Sequence, residues 1–247
     1  MCGRFVVTSP TIELVSVFDV QFVAENLPGP SWNIAPTQSV AAIVDSVSRE
    51  NPGTEPVRRL EAARWGLVPS WAKGVSIGSK AFNARIETAA EKPMFRSAVA
   101  SHRAIVPASG YFEWRTTDGV KIPRYIFSAD GQPLAFAGLY SWWRVPTGSS
   151  PASSEWMLST TILTRASTGE MASVHDRMPV FLDRSLIDDW LDPAQRGTAG
   201  LLDAAANSAV VVATGLRHHE VDPAVGAVRN NSPELIEPVA SQEPTAS

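Results

Sequence analysis

Cysteine is almost absent: Cys2 is the only one in 247 residues, so no internal disulfide can form. With four histidines beside that lone thiol, the chain is poorly supplied for a structural zinc site, and no metal or cofactor is expected. Long apolar runs are missing too. Stretches such as 134–140 and 209–213 have the length of core strands and fall far short of the roughly 20 residues of a membrane span. The first residues lack the basic start and the apolar stretch of about 7–15 residues that mark a secretory signal. These absences lead to the expectation of a cytoplasmic protein in a reducing compartment, without membrane attachment. Excess positive charge is also lacking: the net charge is −4, which argues against a protein that coats nucleic acid non-specifically. No internal repeat is found. What is present, 44% hydrophobic and 19% charged residues, belongs to a folded globular chain and not to a disordered one.

The charge is unevenly spread. Nine bases against three acids lie between Arg58 and Arg103, so that stretch is +6 and the remainder −10. The segment after Asn230 adds three glutamates and no base. A basic stretch in an acidic chain suits a local phosphate-binding groove or, equally, a solvated helix and strand face. Short β-branched or aromatic runs predict strands at 3–7, 40–44, 57–64, 104–108, 111–115, 124–128, 134–140, 156–164 and 209–213. Helices are expected at 11–18, 88–99, 167–172 and 185–192, the last with Ser185 as N-cap and Pro193 beyond its end. Polar, turn-rich stretches at 45–56 and 146–155 read as connecting loops. Strands outnumber helices without regular alternation. That predicts one α+β domain, 1–239, with a curved, mainly antiparallel β-sheet system flanked by short helices, and a flexible tail at 240–247.

Four polar clusters stand out against apolar surroundings. Cys2-Gly3-Arg4 leads directly into the first strand. If Met1 is removed, Cys2 carries a free α-amine beside its thiol. Such a 1,2-aminothiol condenses with an aldehyde to a Schiff base, and the thiol closes on the imine carbon to give a five-membered thiazolidine. Reference pKa values of about 7.7–8.0 for the amine and about 8.5 for the thiol leave both partly deprotonated near neutral pH. The alternative is a small apolar residue near a terminus. In the stretch 81–88, Asn83 fits a donor to a developing oxyanion or hydroxyl, or the cap of a turn. In Gly110-Tyr111-Phe112-Glu113-Trp114, alternation puts Glu113 on the face of Tyr111, and burial near aromatic rings raises a carboxyl pKa toward the range of a proton shuttle. The alternative there is a buried partner for an arginine. His175, in Val174-His175-Asp176-Arg177-Met178-Pro179, fits a second proton carrier or a structural hydrogen bonder. The stretches 31–37 and 65–71 combine rigid turns with aromatic faces. Aromatics beside basic residues grip single strands by base stacking and phosphate neutralisation, although core packing claims most of the eight tryptophans.

Taken in order, six segments closely resemble the SRAP (SOS response-associated peptidase) family. They are Met1-Cys2-Gly3-Arg4-Phe5, Asn33-Ile34-Ala35-Pro36-Thr37-Gln38, Trp65-Gly66-Leu67-Val68-Pro69-Ser70-Trp71, Asn83-Ala84-Arg85-Ile86-Glu87-Thr88, Gly110-Tyr111-Phe112-Glu113-Trp114 and His175-Asp176-Arg177-Met178-Pro179. Ala224-Val225-Gly226 and Pro233-Glu234-Leu235-Ile236 resemble the family's ending, so the resemblance spans Cys2 to Val239. It implies the SRAP fold and a sensor of abasic sites in single-stranded DNA. In that family the processed amino-terminal cysteine crosslinks the ring-opened sugar aldehyde as a thiazolidine, shielding the lesion during the replication-associated damage response.

Carried over by motif, Cys2 is the nucleophile, and Asn83 positions the amine and sugar. Glu113 is the acid/base for ring opening and imine formation, while His175 steadies the sugar hydroxyl and assists catalysis or reversal. Arg4, Asn33, Pro36, Trp71, Arg85 and Thr164 match positions that line the DNA channel. The implied partner is single-stranded DNA containing abasic sites, junctions with duplex included. The implied protein is a monomer without cofactor, nucleoid-associated when bound to DNA. Its chemistry is lyase-like Schiff-base crosslinking, with peptidase activity limited to Met1 removal. Alternatives are a thiol peptidase with Cys2 as nucleophile and His175 as base, and a non-covalent reader of modified bases. The chain departs from the pattern at Ala72, where some bacterial relatives carry a second tryptophan, and at Pro93, where an arginine can stand. It departs again at His218-His219, in place of a Trp-His pair. These departures bear on the DNA contacts and not on the crosslinking centre.

Overall fold

The computed structural model describes residues 2–47, 54–146 and 155–239. The expected loops 45–56 and 146–155 fall partly outside those residues, and the expected tail 240–247 wholly so. The short β-branched and aromatic runs pair into two sheets. The smaller joins β1 (Arg4–Val7), β3 (Ser31–Ile34), β8 (Gly110–Thr117), β9 (Val120–Ser128) and β13 (Leu216–Glu220) in the order β13-β9-β8-β1-β3, antiparallel throughout. The larger holds β2 (Phe22–Val23), β4 (Ser39–Ser46), β5 (Val57–Trp65), β6 (Asn83–Arg85), β7 (Arg103–Ala108), β10 (Leu134–Arg144), β11 (Trp156–Ala166) and β12 (Arg177–Pro179).

Within the larger sheet, the path β5-β4-β7-β10-β11 closes on itself, because β11 also runs parallel to β5 with Ser159 opposite Arg64. Ala42, Val44, Ala63, Ala104, Tyr140 and Leu158, drawn from all five of those strands, form a core cluster of their own that fills the ring. So few strands leave a narrow interior, which three alanines suit. The main core lies between this barrel and the smaller sheet. There Phe5 meets Trp65 edge-on, with ring centres 4.9 Å apart, and Tyr111 meets Phe136 at 5.9 Å. Alternation along β1 and β8 sends Phe5 and Tyr111 into that core. Val6 and Phe112 point to the opposite face, where Val221, Val225 and Leu235 cover them. Each such side chain, fully buried, contributes about 1.5–3 kcal/mol.

The helices are short, and several differ from expectation. The first, α1 (Thr11–Phe18), has the expected bounds: Pro10 precedes it, Leu14 and Phe18 are buried one turn apart, and Asp19 closes it in the left-handed region at φ 54°. The helix expected at 88–99 is interrupted. In its place α2 (Ile86–Ala89) and α3 (Arg96–Ser101) flank Pro93, which lacks an N–H and crowds the preceding turn. The stretch 167–172 is a single 3-10 turn, Gly169–Ser173. Near 185 the cap is Asp183 and not Ser185. The Asp183 carboxylate accepts from the Ser185 amide at 3.0 Å, ahead of a 3-10 turn, Arg184–Leu186, and α4 (Ile187–Leu191).

The run 209–213, expected as a strand, is the end of α5 (Ala199–Ala213). Leu201, Leu202, Ala205 and Ala209 are buried at helical spacing, and Thr198 caps the start by accepting from the Leu201 amide. Val211 is 64% exposed, so helical burial upstream outweighs the strand propensity of the valines. Strands β2, β3, β6, β12 and β13 are additional to the expected set, with β3 standing where a rigid turn was anticipated. Among the described residues, no helix is long and apolar enough to cross a membrane.

Candidate active site around Cys2

The first strand carries Cys2 into the interior. Arg4 stands opposite Phe112 and Phe5 opposite Tyr111, so one step further along the register Gly3 faces Glu113. Cys2 is 0% exposed, and its Sγ lies 4.0 Å from the Arg4 carbonyl. Burial, reinforced by the charge of Glu113, pushes the thiol well above its ordinary pKa, so sulfur holds its proton at neutral pH. Parallel pairing of β6 with β11, Asn83 opposite Ile162, brings Asn83 to the same point. Asn83 Nδ2 donates to the Cys2 carbonyl at 2.6 Å. Asn83 Oδ1 is buried and accepts no hydrogen bond, which leaves an acceptor for a group arriving at the site.

Glu113, on β8, is 3% exposed, and burial raises its carboxyl pKa against the opposing pull of nearby positive charge, that of His175 included. His175 follows the turn Gly169–Ser173 and precedes β12. Its Nε2 lies 3.9 Å from Glu113 Oε2. That separation is too long for a direct hydrogen bond, and a hydroxyl or water meets both atoms only from one side of the line that joins them. Its Nδ1 lies 2.7 Å from Asp176 Oδ1 and 3.1 Å from the Arg177 amide nitrogen. The buried Tyr111 completes the wall, its hydroxyl 3.9 Å from Met171 Sδ and its pKa raised by burial and by the charges of Cys2 and Glu113. Burial thus shifts all three acidic groups, Cys2, Glu113 and Tyr111, upward.

Residues 1–228 match the family model for the SOS response associated peptidase (SRAP). The chain belongs to the SRAP family. It is 37% identical over 239 residues to the abasic site processing protein YoqW of Bacillus subtilis, across 96% of this chain and 99% of that one. It is 32% identical over 247 residues to the abasic site processing protein YedK of Escherichia coli, across 97% and 100%. A solved structure from Bacteroides thetaiotaomicron shares its fold with a TM-score of 0.76 at 21% identity, across 97% of this chain and 100% of that one.

Around the centre of this SRAP chain, the residues expected to line a DNA channel divide into two groups. Trp71 is 59% exposed, Arg85 is exposed and Pro36 is half-buried. Arg4, Asn33 and Thr164, by contrast, spend their polar groups on the protein itself. Arg4 donates to Asn33 Oδ1 at 2.8 Å, to the Val225 carbonyl at 2.7 Å and to the Gly226 carbonyl at 3.1 Å. Asn33 is 2% exposed, and its Nδ2 donates to the carbonyls of Val225, Ala227 and Asn230. Together they clasp the C-terminal turns onto the small sheet. Thr164 is 0% exposed and accepts from Arg177.

Two polar anchors escaped the sequence reading. Arg177 pairs with Glu87 through both terminal nitrogens at 2.9 Å. Arg103, 2% exposed, donates to the carbonyls of Val99, Ala100, Trp190, Asp192 and Gln195. Glu87 and Arg177 do lie inside two of the recognisable motifs, which was the available signal; Arg103 carries none.

Proposed function

We propose that this SRAP protein captures abasic sites in single-stranded DNA as a covalent thiazolidine on Cys2, once Met1 has been removed. The observation that carries the reading is the convergence at Cys2. Asn83 grips its carbonyl at 2.6 Å, while the buried Glu113 faces His175 across 3.9 Å. The names of YoqW and YedK, both abasic site processing proteins, support the substrate.

The Cys2 α-amine adds to the aldehyde of the ring-opened sugar, and the carbinolamine loses water to give an imine. Sulfur then attacks the imine carbon, the C=N electron pair moves to nitrogen, and nitrogen takes the thiol proton. One C–N and one C–S bond form and one water leaves, with no oxidant or reductant. Glu113, its pKa raised by burial, gives a proton to the departing hydroxyl and, as carboxylate, relays the thiol proton to nitrogen. Asn83 orients Cys2 and offers Oδ1 to the amine or a sugar hydroxyl. A sugar hydroxyl to one side of His175 Nε2 and Glu113 Oε2 reaches both. Arg85 and Trp71 supply phosphate and base contacts. A thiol peptidase would need a thiolate of lowered pKa, the reverse of what burial does to Cys2.

Intact mass spectrometry tests the proposal. The expected protein lacks Met1 and, with an abasic single-stranded oligonucleotide, gives a heat-stable adduct of the summed mass less one water. Cys2→Ser forms the imine but only a labile oxazolidine. A Cys2→Ser adduct as heat-stable as that of the wild type, or no adduct from wild-type protein with Met1 removed, overturns it.

A further inference from the structure

His175 lies between a short turn and a short strand. Five residues of 3-10 turn precede it, and β12, which follows, pairs only three residues with β11. The His175 amide donates to the Met171 carbonyl at 3.1 Å and the Asp176 carbonyl accepts from the Ser167 amide at 2.9 Å, bonds that hold the backbone and leave the ring to side-chain and Nδ1 contacts. A further anchor beside Asp176, whose Oδ1 lies 2.7 Å from His175 Nδ1, is Arg177, the first residue of β12. Its amide donates to His175 Nδ1 at 3.1 Å, and its side chain is clamped at the other end. Two terminal nitrogens meet Glu87 Oε1 and Oε2 at 2.9 Å, and one of them also donates to the Thr164 carbonyl at 2.6 Å. Arg177 Nε is buried and meets no acceptor, so those terminal nitrogens alone orient the guanidinium.

Thr164 sits buried in a long central strand and cannot yield. Glu87, in contrast, opens α2 directly behind the strand that carries Asn83. The ion pair therefore ties the Asn83 side of Cys2 to the His175 side. We propose that Glu87 is a positioning residue for His175, acting through Arg177, an inference that rests on the functional reading above. Burial alone would raise the Glu87 pKa, but the hydrogen bonds and charge of Arg177, joined by hydrogen bonds from the backbone, together outweigh it and hold the carboxyl below its ordinary value, so the clamp stays charged throughout the neutral range.

The clamp has a second consequence for the ring. A hydrogen bond from the Arg177 amide requires an unprotonated Nδ1, which places the proton on Nε2, facing Glu113. Asp176 favours the opposite tautomer, with the proton on Nδ1. Loosening Arg177 removes the first influence and leaves the second.

The experiment compares wild type with Glu87→Gln and Glu87→Asp by side-chain ¹⁵N NMR of the histidines, with His175→Ala supplying the assignment. Single-turnover crosslinking to an abasic oligonucleotide is measured in parallel across pH. A half-exposed ion pair contributes at most about 1 kcal/mol to stability, so the variants fold. Glu87→Gln is expected to shift the His175 tautomers toward Nδ1–H and to slow crosslinking roughly tenfold, with Glu87→Asp between the two. In a His175→Ala background Glu87→Gln should have no further effect on rate. In a Cys2→Ala background it should leave non-covalent affinity for single-stranded DNA unchanged. Unmoved tautomers, additive rate effects or altered DNA affinity each overturn the proposal. If wild type forms no crosslink at all, the functional reading fails instead, and the NMR comparison still decides whether Glu87 orients His175.

Discussion

Replacing Glu113 by glutamine removes one ionisable proton and almost no volume, which makes it a clean probe of the site. Among the described residues Glu113 is the one buried carboxylate, at 3% exposure. A proton-transfer group contributes about 10²–10⁴-fold in rate, or roughly 3–5 kcal/mol of barrier. Glu113→Gln should therefore slow single-turnover crosslinking by about that factor and flatten its pH profile, while non-covalent DNA binding persists.

Stability should move the other way. Burial raises the folded-state pKa of Glu113 above its ordinary 4.5, so the folded chain holds this proton more tightly than the unfolded chain does. Wild type accordingly loses stability as pH rises from the ordinary value through the raised one, at up to about 1.4 kcal/mol per pH unit, and no further beyond it. Glutamine suffers no such loss. The variant should be at least as stable as wild type at neutral pH, and its relative advantage should vanish in acid, as read by urea unfolding. An unchanged crosslinking rate and profile would assign Glu113 to structure. A variant that is destabilised at neutral pH and not in acid would show a carboxyl that folds ionised, and the proton-shuttle argument would fall.

Two further outcomes follow from the placement of arginines. Arg85 is exposed and Glu87, a conceivable internal partner, is taken by Arg177. In a Cys2→Ala background, Arg85→Ala should flatten the log–log salt dependence of single-strand binding by roughly 0.7, and an unaltered slope would remove Arg85 from the DNA contacts. Arg103→Met removes a donor from five backbone carbonyls, of which Ala100 keeps the Gly197 amide, and should lower the unfolding free energy by about 3–5 kcal/mol in urea. A loss below about 1 kcal/mol would mean that water takes over those acceptors.

Local pattern alone determined a good part of this protein. Alternation along 111–115 placed Glu113 beside Tyr111 on the buried face, the spacing of Leu14 and Phe18 delivered the first helix, and the lone Cys2 ahead of a strand marked the candidate centre. Six motifs in order were enough to recognise the family. Where neighbouring signals conflicted, they misled: three valines read as a strand at 209–213, although burial of Leu201, Ala205 and Ala209 on one face makes the segment a helix. The site itself belongs to the tertiary structure. Asn83 reaches Cys2 across 81 residues of chain, and closure of the barrel through the pairing of Ser159 with Arg64 fixes the strand that β6 must follow to get there. Arg4 and Asn33 read in the sequence as DNA contacts, and only the fold shows that they also bond each other and the carbonyls of the C-terminal turns. A residue's neighbours along the chain set its strand face and its helical stripe. Which distant carbonyl or carboxylate meets its polar atoms depends on how two sheets pack, and with those contacts go the burial and the field that set the proton affinities of Cys2, Glu113 and Tyr111.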